Sequence, residues 1–192
     1  MYDGLVFNAH NIGFMSSYFS AEKAVDIQPI QILWTTILST WFPALGEKAH
    51  KIAYKALGSP HKKEPDAILV KVQYVWAKPS GEFQEHEIFV AQCKSWEHDT
   101  GEGWTLAADQ LKDYLRDNNP HGSWTMFGAV AIGTKVQIYE WRGEKTTTSL
   151  TPRYWQLDLG SATDRCTFEK AMERASFGGW DYAQMHKQFT VG

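Results

Sequence analysis

Apolar and polar positions alternate with two distinct periods along this chain, and the changes of period mark out its elements. Ile30, Leu33, Trp34, Ile37, Leu38 and Trp41 recur at three- and four-residue spacing, which predicts a helix with one apolar stripe that Pro43 breaks. Leu45, Ala49, Ile52, Ala53 and Ala56 continue at helical spacing up to Gly58 and Pro60, so a second helix is expected there. After the polar break at residues 61–65, the run from Asp66 to Ala77 is rich in β-branched and aromatic residues and reads as a strand. Lys78-Pro79-Ser80-Gly81 is a turn, and Glu87 to Lys94 is a second strand that closes a long antiparallel hairpin.

Glu97 to Gly103 reads as a loop, followed by a helix from Trp104 or Thr105 with Leu106, Leu111, Tyr114 and Leu115 as apolar positions, ending at Asn118-Asn119-Pro120. Strands from Trp124 to Ile132 and from Lys135 to Trp141 are joined by a tight Gly133-Thr134 turn. A strand-like piece spans Tyr154 to Leu159. Ser161 then stands as an N-cap, with Asp164 three residues on, for a helix through Phe168, Met172 and Ala175 that Gly178-Gly179 should stop. No internal repeat interrupts this order, which fits a single α/β domain over residues 1–192.

Bulk composition narrows the possibilities. With 192 residues and 43% hydrophobic content the chain can close a core without a disulfide or a structural metal. Its 9 Trp, 10 Phe and 8 Tyr are read chiefly as core filler. Cys93 and Cys166 have no metal-ligand spacing, which points to a reducing, intracellular compartment, cytoplasmic or nuclear. No stretch approaches the roughly 18 apolar residues of a membrane span, so no membrane partner is expected. A net charge of −3 speaks against non-specific coating of DNA, but not against an acidic site in which a metal ion meets the phosphate.

Within the hairpin, strand parity decides which side chains share a face. Asp66, Gln92 and Lys94 are all even-numbered, and a turn centred near Ser80 sets Asp66 opposite Lys94 with Gln92 diagonally within reach. A one-residue slip would separate them. A carboxylate and an amide oxygen suit a hard cation such as Mg²⁺ or Mn²⁺, the Cys93 carbonyl could add a third oxygen, and Lys94 could orient the attacking water. The Cys93 thiol, of opposite parity, is a small buried hydrophobe. At the end of a strand, Lys94 should contribute little to packing. His61, Lys62 and Lys63, with Lys48, Lys51 and Lys55 on the preceding helix, outline a basic rim suited to a phosphate backbone. No nucleotide-binding glycine motif and no zinc spacing is present in the sequence.

Pro65-Asp66, then Gln92-Cys93-Lys94 at a strand end, then a helix with Gln110-Leu111 and Tyr114, then Gly128-Ala129-Val130-Ala131-Ile132-Gly133 together resemble the PD-(D/E)XK nuclease superfamily over about residues 43–142. The Gln-X-Lys variant is similar to that of its Mrr-type branch. The resemblance implies a restriction-endonuclease-like core, with a mixed central β-sheet flanked by helices, and an endonuclease or exonuclease acting on nucleic acid, DNA in the first place. It implies Asp66 as principal metal ligand, Gln92 in place of the usual second acid, Lys94 as catalytic lysine, Glu47 as upstream helical ligand and Gln110 lining the site. The competing reading is a non-catalytic nucleic-acid-binding or protein-interaction module, since a fold can outlast its activity. The sequence leaves the oligomeric state open, a homodimer included.

Overall fold

The computed structural model describes residues 7, 11–22, 24–44, 50–57, 67–78, 80–119, 125–142, 151–152 and 156–189. Helices α1 (Ile12–Glu22) and α2 (Ile27–Trp41) precede strands β1 (His50–Leu57), β2 (Ala67–Ala77) and β3 (Phe83–Lys94). A 3₁₀ turn (Trp96–His98) leads into α3 (Gly101–Asn118), followed by β4 (Thr125–Ile132), β5 (Lys135–Arg142), the short β6 (Thr151–Pro152) and β7 (Leu157–Asp158), and the long α4 (Ala162–Phe189). The strands form one sheet in the order β1-β2-β3-β4-β5-β6, with β7 also paired to β5. All pairs are antiparallel except β3 with β4, which α3 connects as a crossover.

The sheet separates two cores. On one face, α2 buries Ile30, Leu33, Trp34, Ile37 and Leu38, the expected stripe, and Phe14 of α1 and Phe168 and Met172 of α4 join them over Ile68, Val70, Cys93 and Ala129. On the other face, α3 lays Trp104, Ala107, Leu111 and Leu115 over Leu69, Val90, Val130 and Trp141. β3 lies between the two, buried on both sides from Ile88 to Lys94. The chain is thus an α/β protein with a mixed sheet flanked by helices. Among the described residues no helix is long and apolar enough to cross a membrane.

Four local expectations are corrected. Residues 50–57, read as part of a helix, form β1, paired with β2 from His50 opposite Tyr74 to Leu57 opposite Ala67. Small and apolar residues there satisfy either period, and pairing with β2 decides it: Ile52 packs on the α2 side and Leu57 on the α3 side, as alternation requires. Helix α3 starts at Gly101 rather than Trp104, because Thr100 caps it by accepting the Gly103 N–H at 3.0 Å. Helix α4 runs through Gly178-Gly179 to Phe189. A β-carbon on Gly178 would lie 3.1 Å from the Phe127 ring, so this glycine permits close packing of helix on sheet.

The fourth correction bears on the site. Near its turn the hairpin has the expected register, with Tyr74 opposite His86 and Ala77 opposite Phe83. Between Val72 and Gln73 the register shifts, because Gln73 pairs with Glu87 and Val72 with Phe89, leaving Ile88 as an extra residue in β3. Beyond this bulge Leu69 faces Gln92 and Ile68 faces Cys93. Odd positions of β2 therefore share a face with even positions of β3. Even positions of β2 and even positions of β3 beyond the bulge thus lie on opposite faces, and Asp66, which the even numbering grouped with Gln92 and Lys94, lies outside the described residues.

Candidate functional site

Gln92 and Lys94 project from the last turns of β3 toward α3, two residues apart on one face. Both are withdrawn from solvent: Gln92 is 0% and Lys94 2% exposed. Gln92 donates from Nε2 to Gln110 Oε1 at 2.7 Å, so α3 holds the amide. Its Oε1 is buried with no hydrogen-bond partner among the described residues. An unsatisfied buried oxygen costs about 1–3 kcal/mol, which a core retains only for a reason. The Lys94 burial also corrects the expectation of a strand-end side chain with little packing role.

Cys93 points to the opposite core and is fully buried, and that burial pushes its thiol pKa far up, so the thiol is an inert filler as expected. Its main chain lies between β2, at Ile68, and β4, at Ala131. Asp66, Glu47, Lys62 and Lys63 lie outside the described residues, as do Lys48 and His61. Lys51 and Lys55, expected on a helix, stand on β1. Lys51 is paired with Glu85 at 2.7 Å, and the Lys55 ammonium lies 5.5 Å from the centre of the Tyr114 ring.

Two polar clusters flank the site on the α3 face, and neither stood out in the sequence. Toward the hairpin turn, Lys71 donates to Glu87 at 2.6 Å and to Tyr114 at 3.0 Å, and the Tyr114 hydroxyl donates to both Glu87 oxygens at 2.9 Å. Burial pushes Tyr114 up to about 12, with Glu87 adding to it against the opposing pull of Lys71. In the Lys71 pKa, burial acts downward but the bonds to Glu87 and Tyr114 outweigh it and hold the ammonium above its ordinary value. On β5, Gln137 shares the face of Gln92 through Val130, and Tyr139 donates its hydroxyl to Gln137 Oε1. The signal for both clusters is polar residues recurring on one parity of apolar strands, visible only once the register is known.

At the strand end, Asp99 accepts from Lys135 at 2.6 Å and from Trp104 Nε1 at 2.8 Å. Burial would raise the Asp99 pKa, yet those two donors hold it below the usual carboxylate value. The Lys94 carbonyl accepts the N–H of Gly133, which has a φ of +59° in the β4–β5 turn. The backbone around the end of β3 is thereby tied to its neighbours.

The donor set fits a hard cation in one respect: an amide oxygen held by Gln110 through its nitrogen is free to meet one. Among the described residues no group of three or more His, Cys, Asp or Glu could hold a metal ion. Compared with family models, curated proteins and solved structures, the chain matches none of them.

Leucine in place of Gln92 should leave the melting temperature unchanged or raise it. The substitution removes the orphan oxygen, and half-buried Gln110 can turn to water. A loss of more than about 2 kcal/mol in a denaturant melt would mean that Gln92 is kept for the fold rather than for a ligand.

Proposed function

We propose that the chain is a metal-dependent nuclease of the PD-(D/E)XK kind that hydrolyses phosphodiester bonds of DNA. The observation that carries this reading is the pairing, on one strand face, of a fully buried amide oxygen without a partner among the described residues and a lysine of 2% exposure. An acceptor left without a partner is expensive in a core, and such groups gather where a protein meets a charged ligand. The chain order supports the same reading: β2 directly after Asp66, β3 ending in Gln92-Cys93-Lys94, α3 carrying Gln110 and Tyr114, then β4 parallel to β3.

Mg²⁺ or Mn²⁺ would be held by the Gln92 amide, the Cys93 carbonyl and the carboxylates of Asp66 and Glu47. Asp66 immediately precedes β2, where the strand alternation need not govern it. When bound, the cation supplies positive charge at the phosphate and makes water a better nucleophile. Gln110 holds the Gln92 amide so that its oxygen, not its nitrogen, is presented. Lys94 brings three donors on an ammonium to the same face, where they orient water and stabilise negative charge developing on the phosphoryl oxygens. Lys62 and Lys63 position the DNA backbone.

The test is incubation of the protein with end-labelled single-stranded, duplex and branched DNA and with RNA, in Mg²⁺, in Mn²⁺ and in EDTA. Cleavage of DNA that depends on the cation is the expected result. Failure to cleave any substrate, together with no calorimetric heat on adding either cation, would replace the nuclease with a non-catalytic interaction module.

A further inference from the structure

Among the described tryptophans, Trp34 and Trp141 are fully buried and Trp104 is 5% exposed. Trp96 departs from this pattern, with 51% of its surface open. It stands two residues beyond Lys94, in the 3₁₀ turn at the end of β3. A nine-atom indole ring left half in water is costly for a residue that serves only the core, and this one lies two residues along the chain from Lys94.

Its surroundings hold the main chain in place. A β-carbon on Gly133 would lie 3.4 Å from the Trp96 β-carbon, so Trp96 is seated against the β4–β5 turn. The His98 N–H bonds the Ser95 carbonyl and the Asp99 N–H bonds the Trp96 carbonyl, while Asp99 in turn is fixed by Lys135 and Trp104. The Ser95 hydroxyl and His98 Nδ1 are hydrogen-bonded at 3.1 Å. An exposed ring on a rigid support loses little freedom when it binds a flat partner.

We propose that Trp96 is a stacking platform for an unpaired base of single-stranded DNA lying across the end of β3, an inference that rests on the nuclease reading of Gln92 and Lys94. Stacking on an aromatic side chain requires an accessible base face, which a single strand or a frayed end offers and the interior of a duplex does not. The preferred substrate is accordingly DNA with an unpaired nucleotide next to the bond that is cut. Of the carboxylates beside Trp96, Asp99 takes the Lys135 ammonium and so does not stand open, while Glu97 stays exposed on the turn.

The test compares wild type, Trp96→Ala and Trp96→Phe for binding to a fluorescent 12-nucleotide single strand and to a blunt duplex of the same sequence, in Ca²⁺ as an oxygen-seeking substitute cation. Removal of a stacking ring weakens binding by roughly ten- to a hundredfold, so Trp96→Ala should lose about that much affinity for the single strand and little for the duplex. Phenylalanine should restore most of it. Melting curves should agree among the three proteins to within a few degrees, because half of the ring is already exposed. Equal single-strand affinity in wild type and Trp96→Ala would overturn the stacking role while leaving the nuclease reading intact. If wild type binds neither DNA, both fail together.

Discussion

Methionine in place of Lys94 will lower the rate of Mg²⁺-dependent DNA cleavage by about 10³-fold, the usual consequence of removing a group that acts only on the charge developing in the transition state. Methionine is chosen because Lys94 is 2% exposed: alanine would open a cavity in the sheet and mix a stability effect with the chemical one. An unbranched thioether refills most of the lysine stem without its charge. DNA affinity should change by less than about tenfold, since most binding energy comes from backbone contacts elsewhere. Arginine should not rescue the rate. Its planar guanidinium is larger and forked, and a slot closed around an ammonium has no room for it. Single-turnover cleavage with equal circular dichroism spectra checks this, and undiminished activity in Lys94→Met would show that another group does the work.

The second large effect is on stability. Alanine at Gly103 places a β-carbon 2.1 Å from the His98 carbonyl oxygen and 2.9 Å from its carbon, a collision with backbone that no rotamer relieves. Overpacking costs about 1–3 kcal/mol, and a contact this short belongs at the upper end. Alanine recovers about 1 kcal/mol through its better helix propensity. The net loss is about 2 kcal/mol, or a melting temperature lower by about 4–8 °C for a chain of this size. Thermal denaturation measures it directly. Because His98 closes the turn that carries Trp96, single-strand affinity should fall as well, whereas an unchanged melting temperature would contradict the packing of α3 on that turn.

Much of this architecture was legible because short-range chemistry decides it. The α2 stripe, the Gly133-Thr134 turn and the Ser161 cap each depend on residues within one helical turn or one hairpin loop. The β1 segment was misread because Ile52, Ala53 and Ala56 fit both periods, and only β2, far along the chain, selects one. Gly178 looked like a stop signal, yet tertiary contact with Phe127 makes a small residue useful inside the helix. Most consequential was the bulge at Ile88. Parity counting assumes an unbroken ladder, and one extra residue reverses it, so Gln92 and Lys94 remain together on a face while even positions of β2 turn to the other core. That Gln92 and Lys94 share a face was legible; the Lys71–Glu87–Tyr114 cluster, which depends on that bulge, was not.

Calorimetric titration of Mg²⁺ into wild type and Gln92→Glu, with melting curves of both proteins with and without the cation, tests the central claim most directly. Glutamate keeps the volume of Gln92 but turns the partnerless oxygen into a charged ligand. Hard divalent cations gain affinity with ligand charge, so Gln92→Glu should bind Mg²⁺ more tightly than wild type. Without the cation a new buried carboxylate is uncompensated, so the variant should melt lower, and saturating Mg²⁺ should restore the loss by mass action. Identical heats and identical melting shifts in the two proteins would contradict a metal site at Gln92.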